Sequence, residues 1–512
     1  MLLAILMLVS SCSCALAVDE GFASTYTYNY DYWTDIRESP DAYRVVDVLY
    51  GKDIAPVQKN GEDGALNAPQ SMFVQGQDLY VVDSGNNRIL QLTRDKETGS
   101  FSLVREIKDF KSEDAAIVKT FNYPTDVSVD VNGNIYIADN KNERIVKLDK
   151  DLNLLMTITK PDDTTFDQNL SFLPNKLVVD TTGRVFTLAT MVNKGVVKFE
   201  SDGTFTGYVG ANKVSYSLYD YIWKTFFMTK EQRAQQESFV PTEYCNIYMD
   251  EDSFIYATNI SFSEYDLLWD VAQPIRRLNA VGNDILIKND RYPPIGDLYW
   301  EEGAVDYHGP SKFVDITVLE NDIYVGLDRT RGRIFGYDSQ GIMLWAFGNQ
   351  GSSEGTFNNN GAIALDHMGR DLLVLDQRRG SITVFSPTEY GNLIYDAIGD
   401  YSNGKFEESA EKWQQVLDRN ANYNLAFIGI GRALMREDTY ESYIEAMDYF
   451  KMAQDRDNYG RAFQLFRKEW VERNIGWMMI VLVVIIVIPL VLRQIKKRKM
   501  EVEAYERNQV AK

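Results

Sequence analysis

The feature that most constrains this chain is a phrase that it repeats. Between Asn122 and Leu148, Pro124 opens a short alternating run through Asp126 to Asp130. Asn132-Gly133 then makes a turn, Ile135-Tyr-Ile-Ala-Asp139 forms a second run, and Asn142-Glu-Arg144 leads into a third. The same order recurs around Pro69, Tyr80-Val-Val-Asp83 and Arg88-Ile89-Leu90, and again around Pro174, Gly183 and Val185-Phe-Thr-Leu188. Three further copies run through Ile247, Tyr256 and Arg277, through Asp315, Tyr324 and Arg333, and through Asp366, Asp376 and Ile382. Each unit ends in another short strand, such as Phe205-Thr-Gly-Tyr-Val209 or Met343-Leu-Trp-Ala-Phe347. A four-stranded unit cannot bury both of its faces alone, but six of them arranged radially can. The spacing therefore predicts a six-bladed β-propeller over residues 41–387, interrupted by inserts at 211–243 and 285–310. Thr229 is the expected N-cap of a helix in the first insert. Tyr43 to Gly51 reads as a fourth strand with no preceding three, and is expected to complete the last blade.

The Pro, the Gly-Asn-hydrophobic-Tyr-hydrophobic-Ala-Asp centre and the Asn-x-Arg-Ile close resemble the NHL-repeat propeller family over roughly residues 40–390. The likeness is strongest in the first two units and looser elsewhere, where Gly195 and Ser381 replace the Arg. Asp83/Arg88, Asp139/Arg144 and Asp328/Arg333 repeat at i, i+5. Residues repeated in this way have a structural reading, in which the Asp caps turn N–H groups and the Arg begins the next strand beside it.

Composition narrows the function. The 512 residues carry a net charge of −21, which argues against a nucleic-acid partner. With two His (His308 and His367) and three Cys, most metal chemistry and His-assisted nucleophilic catalysis lack their residues. Residues 1–17 form an uncharged apolar run ending Ala15-Leu-Ala17, which reads as a signal peptide cleaved after Ala17. Val9-Ser-Ser-Cys12 also fits a lipidation site at Cys12, and an uncleaved anchor is a third reading. Cleavage would leave Cys245 alone, so that no internal disulfide forms. Residues 475–492 lack any charge and are followed by Arg493, Lys496, Lys497, Arg498 and Lys499. They read as one transmembrane helix with a basic cytoplasmic tail at 493–512, which places the bulk of the chain outside the cell membrane.

After Pro387 the apolar period lengthens to about 3.6, predicting helices over 388–474. Gly404 to Trp413 and the series Ala446, Phe450, Ala453 resemble tetratricopeptide (TPR) repeats, although Ser409 stands at a usual Ala and neither unit closes on Pro. The last helix is expected to run into the span as a stalk. A signal segment, an NHL-like propeller, TPR-like pairs and one span in this order resemble a group of Gram-positive bacterial membrane proteins. That resemblance implies a link to carbohydrate transport.

No Gly-rich phosphate loop, Gly-x-Ser-x-Gly elbow or His-Glu-x-x-His is present. The start of each innermost strand should face the propeller channel, and aligning the units gives Ser71, Asp126, Lys176, Asn246, Asp315 and Ala362. Asp126, Asn246 and Asp315 are candidate Ca²⁺ ligands by analogy with gluconolactonase-like propellers. Lys176 in the same ring favours an ion-free arrangement. Within the aromatic N-terminal arm at 18–40, Tyr28, Tyr30 and Trp33 alternate with polar residues, a pattern for packing on a blade edge or for stacking on sugar rings. Trp300 is a further aromatic candidate, with Trp223 and Trp269 weaker ones. The expected function is a membrane-anchored, non-enzymatic binding scaffold for a glycan or protein, with a protein partner on the helices. A Ca²⁺-dependent lactonase-like hydrolase is the alternative.

Overall fold

In the computed structural model the described residues are 26–31, 35–55, 64–210, 244–263, 266–267, 272–288, 294–297 and 309–510. They fall into two compact units, residues 1–395 and 396–512.

The first unit is a six-bladed propeller. The first blade comprises Ser71–Gln75, Asp78–Asp83, Arg88–Arg94 and Phe101–Ile107; the second comprises Pro124–Val129, Ile135–Asp139, Arg144–Leu148 and Leu154–Ile158. The third contains Pro174–Val179, Val185–Ala189, Val196–Phe199 and Phe205–Val209, and the fourth has three strands among the described residues, Tyr244–Met249, Ile255–Asn259 and Ile275–Leu278. The fifth is built from Phe313–Val318, Tyr324–Asp328, Arg333–Tyr337 and Met343–Phe347. The sixth takes Ala362–Met368, Asp371–Asp376 and Ser381–Pro387, and its fourth strand is Tyr43–Tyr50 from the other end of the domain. That strand runs antiparallel to the third, from Tyr50 opposite Ser381 to Tyr43 opposite Pro387, and fastens the ring. The six inner strands contact one another in a closed circle.

Period-2 alternation explains why the blades stack. Leu79 and Val81 point to the sixth blade, where they meet Leu373, Leu375 and Val384, whereas Tyr80 and Val82 point to the second, against Val127, Ile135 and Ile137. Both faces of each sheet are therefore buried, and the cores lie between blades. Large aromatics fill the gap between the fifth and sixth: Tyr43 stacks on Phe347 at 5.0 Å and meets Trp345 edge-on at 4.9 Å. The tight hairpins follow from Asp-x-x-Gly. The Asp130 carboxylate accepts from the N–H groups of Asn132 and Asn134, and Gly133 takes the left-handed φ of +82° that the turn requires.

The fifth blade is larger than the repeat predicts. The short strands Tyr28–Tyr30 and Ile36–Glu38 extend it to six, with Tyr28 opposite Ala346 of the outer edge. The arm thus adds sheet to a blade edge, and Tyr28 is fully buried, which removes it from the sugar-stacking candidates. Trp33, Trp223, Trp269, Trp300, the segment 1–17 and the insert 211–243 with Thr229 lie outside the described residues.

In the second unit, helices Phe406–Arg419, Asn424–Arg436 and Tyr440–Met452 pack each on the next, and the last of them packs on a long helix, Arg456–Val510. Close approach demands small residues. A Cβ on Gly429 would lie 2.3 Å from the Trp413 indole nitrogen, and one on Gly431 would lie 2.6 Å from the Phe450 ring. Ser409 is buried, and its hydroxyl donates to the Ala397 carbonyl at 2.7 Å. Thr439 and Ser442 form a reciprocal capping box at the start of Tyr440–Met452. The long helix packs through Phe466, 5.0 Å from Tyr440, and then continues through an apolar window of mean hydropathy 3.1, none of it buried. By length and composition this helix is able to cross a membrane.

Candidate ligand site in the propeller channel

Strand register fixes which side chains form the inner ring. Asp126 lies opposite Ala138, Lys176 opposite Leu188, Asn246 opposite Thr258 and Asp315 opposite Leu327, and the matching position in the sixth blade is Ala364, opposite Leu375. Ala362 falls two residues before the ring, at the position that Pro124, Pro174, Tyr244 and Phe313 hold in the preceding blades.

The ring residues hold neighbouring blades together. Asp126 accepts the Leu177 N–H of the third blade at 2.7 Å. Asp315 accepts the N–H groups of Ile316 and of Leu365 in the sixth blade, each at 2.7 Å, and also takes a hydrogen bond from the Asn246 amide. Asp366, one step further along its strand, accepts the Val74 N–H of the first blade at 2.7 Å. Lys176 donates to Ser71 Oγ at 3.1 Å. Each carboxylate is thus a bridge from a side chain to the next blade's backbone, stronger than a neutral hydrogen bond.

Burial pushes the Asp126 carboxyl above its usual range against the pull of Lys176, and raises Asp315 to about 7. Calcium prefers six to eight oxygen ligands. Here the Asp126 and Asp315 oxygens are engaged by N–H donors, a lysine shares the ring, and no cluster of three or more His, Cys, Asp or Glu is gathered among the described residues. This donor set does not suit a cation.

Ser71, Asp126, Asn246 and Asp315 of the ring also line a cavity of about 700 Å³ that extends to the hairpins following the inner strands. Tyr248, Asp366, His367 and Arg370 are among its lining residues. Thr317 Oγ1 lies 2.7 Å from His367 Nδ1 and also beside the Tyr248 hydroxyl, so that Tyr248, Thr317 and His367 form a polar seam along three adjacent blades. At the mouth, Arg277 holds Asp250 at 2.8 Å and Asp322 at 3.1 Å, and Arg370 holds Glu320 at 2.6 Å, while Glu251 and Asp252 are exposed. Two residues past the ring positions of the fourth and fifth blades stand Tyr248 and Thr317, because alternate residues of a strand share a face; His367, three past Ala364, breaks that spacing and has no such signal in the sequence.

The repeated Asp/Arg pairs are built alike in the first two blades. Arg88 Nε meets Asp83 at 2.6 Å and Arg144 Nε meets Asp139 at 2.7 Å; the same carboxylates accept the N–H of Asn67 and of Asn122. The fifth blade departs from this pattern. Asp328 is held by Ser311 Oγ and by the N–H groups of Lys312 and Thr330, with Arg331 at 3.5 Å, while Arg333 turns to Asp297. Tyr28 donates to both oxygens of Asp297 at 2.9 Å, and the Tyr30 hydroxyl donates to it as well. Tyr28 and Tyr30 therefore spend their polar ends on the fold.

The fold and these repeats define a six-bladed β-propeller followed by a C-terminal helical region. The NHL repeat signature matches residues 121–148. No curated protein matches the chain. Among solved structures the chain is similar to a streptogramin B lyase, at 12% identity and TM-score 0.33 over 71% of this chain and 87% of that one. It is also similar to an auxiliary nutrient binding protein from Bacteroides ovatus, at 12% identity and TM-score 0.39 over 68% and 77%. A protein of unknown function from Bacteroides thetaiotaomicron matches at 10% identity and TM-score 0.41 over 69% and 80%.

Proposed function

We propose that the chain is a membrane-anchored, extracytoplasmic binding protein without catalytic turnover. In this reading its propeller takes a glycan in the channel cavity, and its helices, paired in the TPR manner, hold a membrane partner connected with carbohydrate uptake. The observation that carries it is the division of labour in the channel. The ring carboxylates are committed to backbone N–H groups, while the cavity they border, about 700 Å³, has the size of a small-ligand site, and its wall includes Tyr248 and His367, with the buried Thr317 hydrogen-bonded to His367. Such a wall supplies the acceptors and the aromatic edge that sugar hydroxyls and ring faces use.

The test is a glycan screen on the full chain in detergent, followed by calorimetry with each hit and with Tyr248→Ala and His367→Ala. Saturable binding that these variants weaken, with no product released, supports the proposal. Release of product from a lactone or ester, with one equivalent of Ca²⁺ per chain and loss of both in Asp315→Ala, would replace it with the lactonase-like hydrolase reading. Binding of a protein ligand with no glycan bound would move recognition to the protein class.

A further inference from the structure

The long helix does not stop where its apolar stretch stops. It runs unbroken from Arg456 to Val510 and carries Arg493, Lys496, Lys497, Arg498 and Lys499 directly after Leu492. All five are exposed, and none makes an ion pair among the described residues, whereas Arg507 further along lies 3.8 Å from Glu503. At about 100° per residue, Arg493, Lys496 and Lys497 share one face while Arg498 and Lys499 point to two others. The charges therefore ring the helix as a collar. A partner protein docks on one face of a helix, but lipid headgroups surround a spanning helix on every side.

The dimensions agree. The apolar stretch 475–492 is about 27 Å long, close to a hydrocarbon core, and the collar occupies about 10 Å, within the headgroup layer. Acidic residues begin only beyond it, at Glu501, Glu503 and Glu506. At the other end of the apolar stretch, Trp477 donates its indole N–H to Asn474 at 2.8 Å, an aromatic ring with a polar partner of the kind enriched at a membrane interface.

We propose that this collar is a binding site for the phosphodiester headgroups of anionic phospholipids, gathered around the helix as it leaves the bilayer. The inference rests on the reading that the helix spans a membrane. Cations close to an anionic surface attract its headgroups, and the attraction weakens with salt.

The test uses the full chain reconstituted into phosphatidylcholine vesicles containing a minority of phosphatidylglycerol, with lipids retained on the protein counted by native mass spectrometry. A variant with Arg493, Lys496, Lys497, Arg498 and Lys499 all changed to Gln is compared with the parent, and insertion is read separately by resistance to carbonate extraction. The expected result is that both proteins resist extraction, and that the parent retains phosphatidylglycerol about fivefold above its bulk share while the variant retains it at that share. Equal retention in two inserted proteins would overturn the proposal. So would competition by soluble glycerol phosphate, which would make the collar a free-phosphate site. If carbonate extracts the parent itself, the membrane-spanning reading fails, and the collar proposal with it.

Discussion

Arg333 of the fifth blade pairs with Asp297 from the segment that precedes that blade, and not with Asp328, its partner by repeat spacing. The buried Asp297 carboxylate also collects the hydroxyls of Tyr28 and Tyr30, so that one acid ties the N-terminal arm and the inter-blade segment to the same sheet. Asp297→Ala leaves the partly buried Arg333, and the hydroxyls of Tyr28 and Tyr30, without their carboxylate. The expected loss is about 3–5 kcal/mol of unfolding free energy, read from urea denaturation. Arg333→Met combined with Asp297→Leu should recover part of that loss, since an apolar pair leaves no charge stranded.

In the second blade the Arg144–Asp139 pair caps a turn and also fixes the Asn122 N–H. Asp139→Ala is expected to cost about 3 kcal/mol, by stranding a buried guanidinium and an N–H together. Far-ultraviolet circular dichroism should stay β-rich, because the other five blades keep their own networks.

Asp315 imposes a pH dependence of definite sign. Its carboxyl is raised to about 7 in the folded chain, against about 4 for an unfolded Asp. Between these values the folded state keeps a proton that the unfolded state has released, so this group's contribution to stability falls as pH rises from about 4 to about 7 and is flat above. Asp126, also raised, acts in the same direction. Urea midpoints taken across that range should slope less in Asp315→Asn than in the parent.

Gly429 sits against Trp413 with no room for a methyl group. Ala is the better helix former by about 1 kcal/mol, yet Gly429→Ala is expected to destabilise the helical unit by about 1–3 kcal/mol through overpacking. Thermal melting followed at 222 nm checks the sign. A gain in stability would mean that the two helices separate at little cost.

Burial pushes the Cys245 thiol up to about 11, and its sulfur lies 3.1 Å from Thr258 Oγ1. In a Cys12→Ser/Cys14→Ser background, Ellman's reagent at mildly alkaline pH should react at least about tenfold more slowly with the folded chain than with the chain in urea.

Much of this was legible because each blade repeats one local solution. Alternating apolar residues, Asp-x-x-Gly hairpins and the Asp/Arg pairs of the first two blades are short-range features, and the unpaired strand at Tyr43 was readable as missing partners. What escaped depended on distant segments. The Tyr28 strand joins the fifth blade through Ala346, and Asp297 diverts Arg333; neither contact has a periodic signature. Ring membership in the sixth blade slipped by two residues because its inner strand, Ala362-Ile-Ala-Leu, offers an Ala at both candidate positions and no polar residue to mark the ring. The roles of Asp126 and Asp315 were ambiguous for a plainer reason: a carboxylate that binds a metal and one that accepts two backbone N–H groups have the same letter in a sequence.

The closure of the ring has a consequence for the order of events in the cell. The strand Tyr43–Tyr50 is made before all the repeat strands and its partner Ser381–Pro387 is the last of them, with Tyr43 and Arg370 hydrogen-bonded across 327 residues of chain. A ribosome that has delivered five blades has not yet delivered the early strand's partner, so that strand waits with an unpaired edge until the sixth blade emerges. Whatever keeps that edge from pairing elsewhere during synthesis is as necessary to this protein as any contact in its finished form.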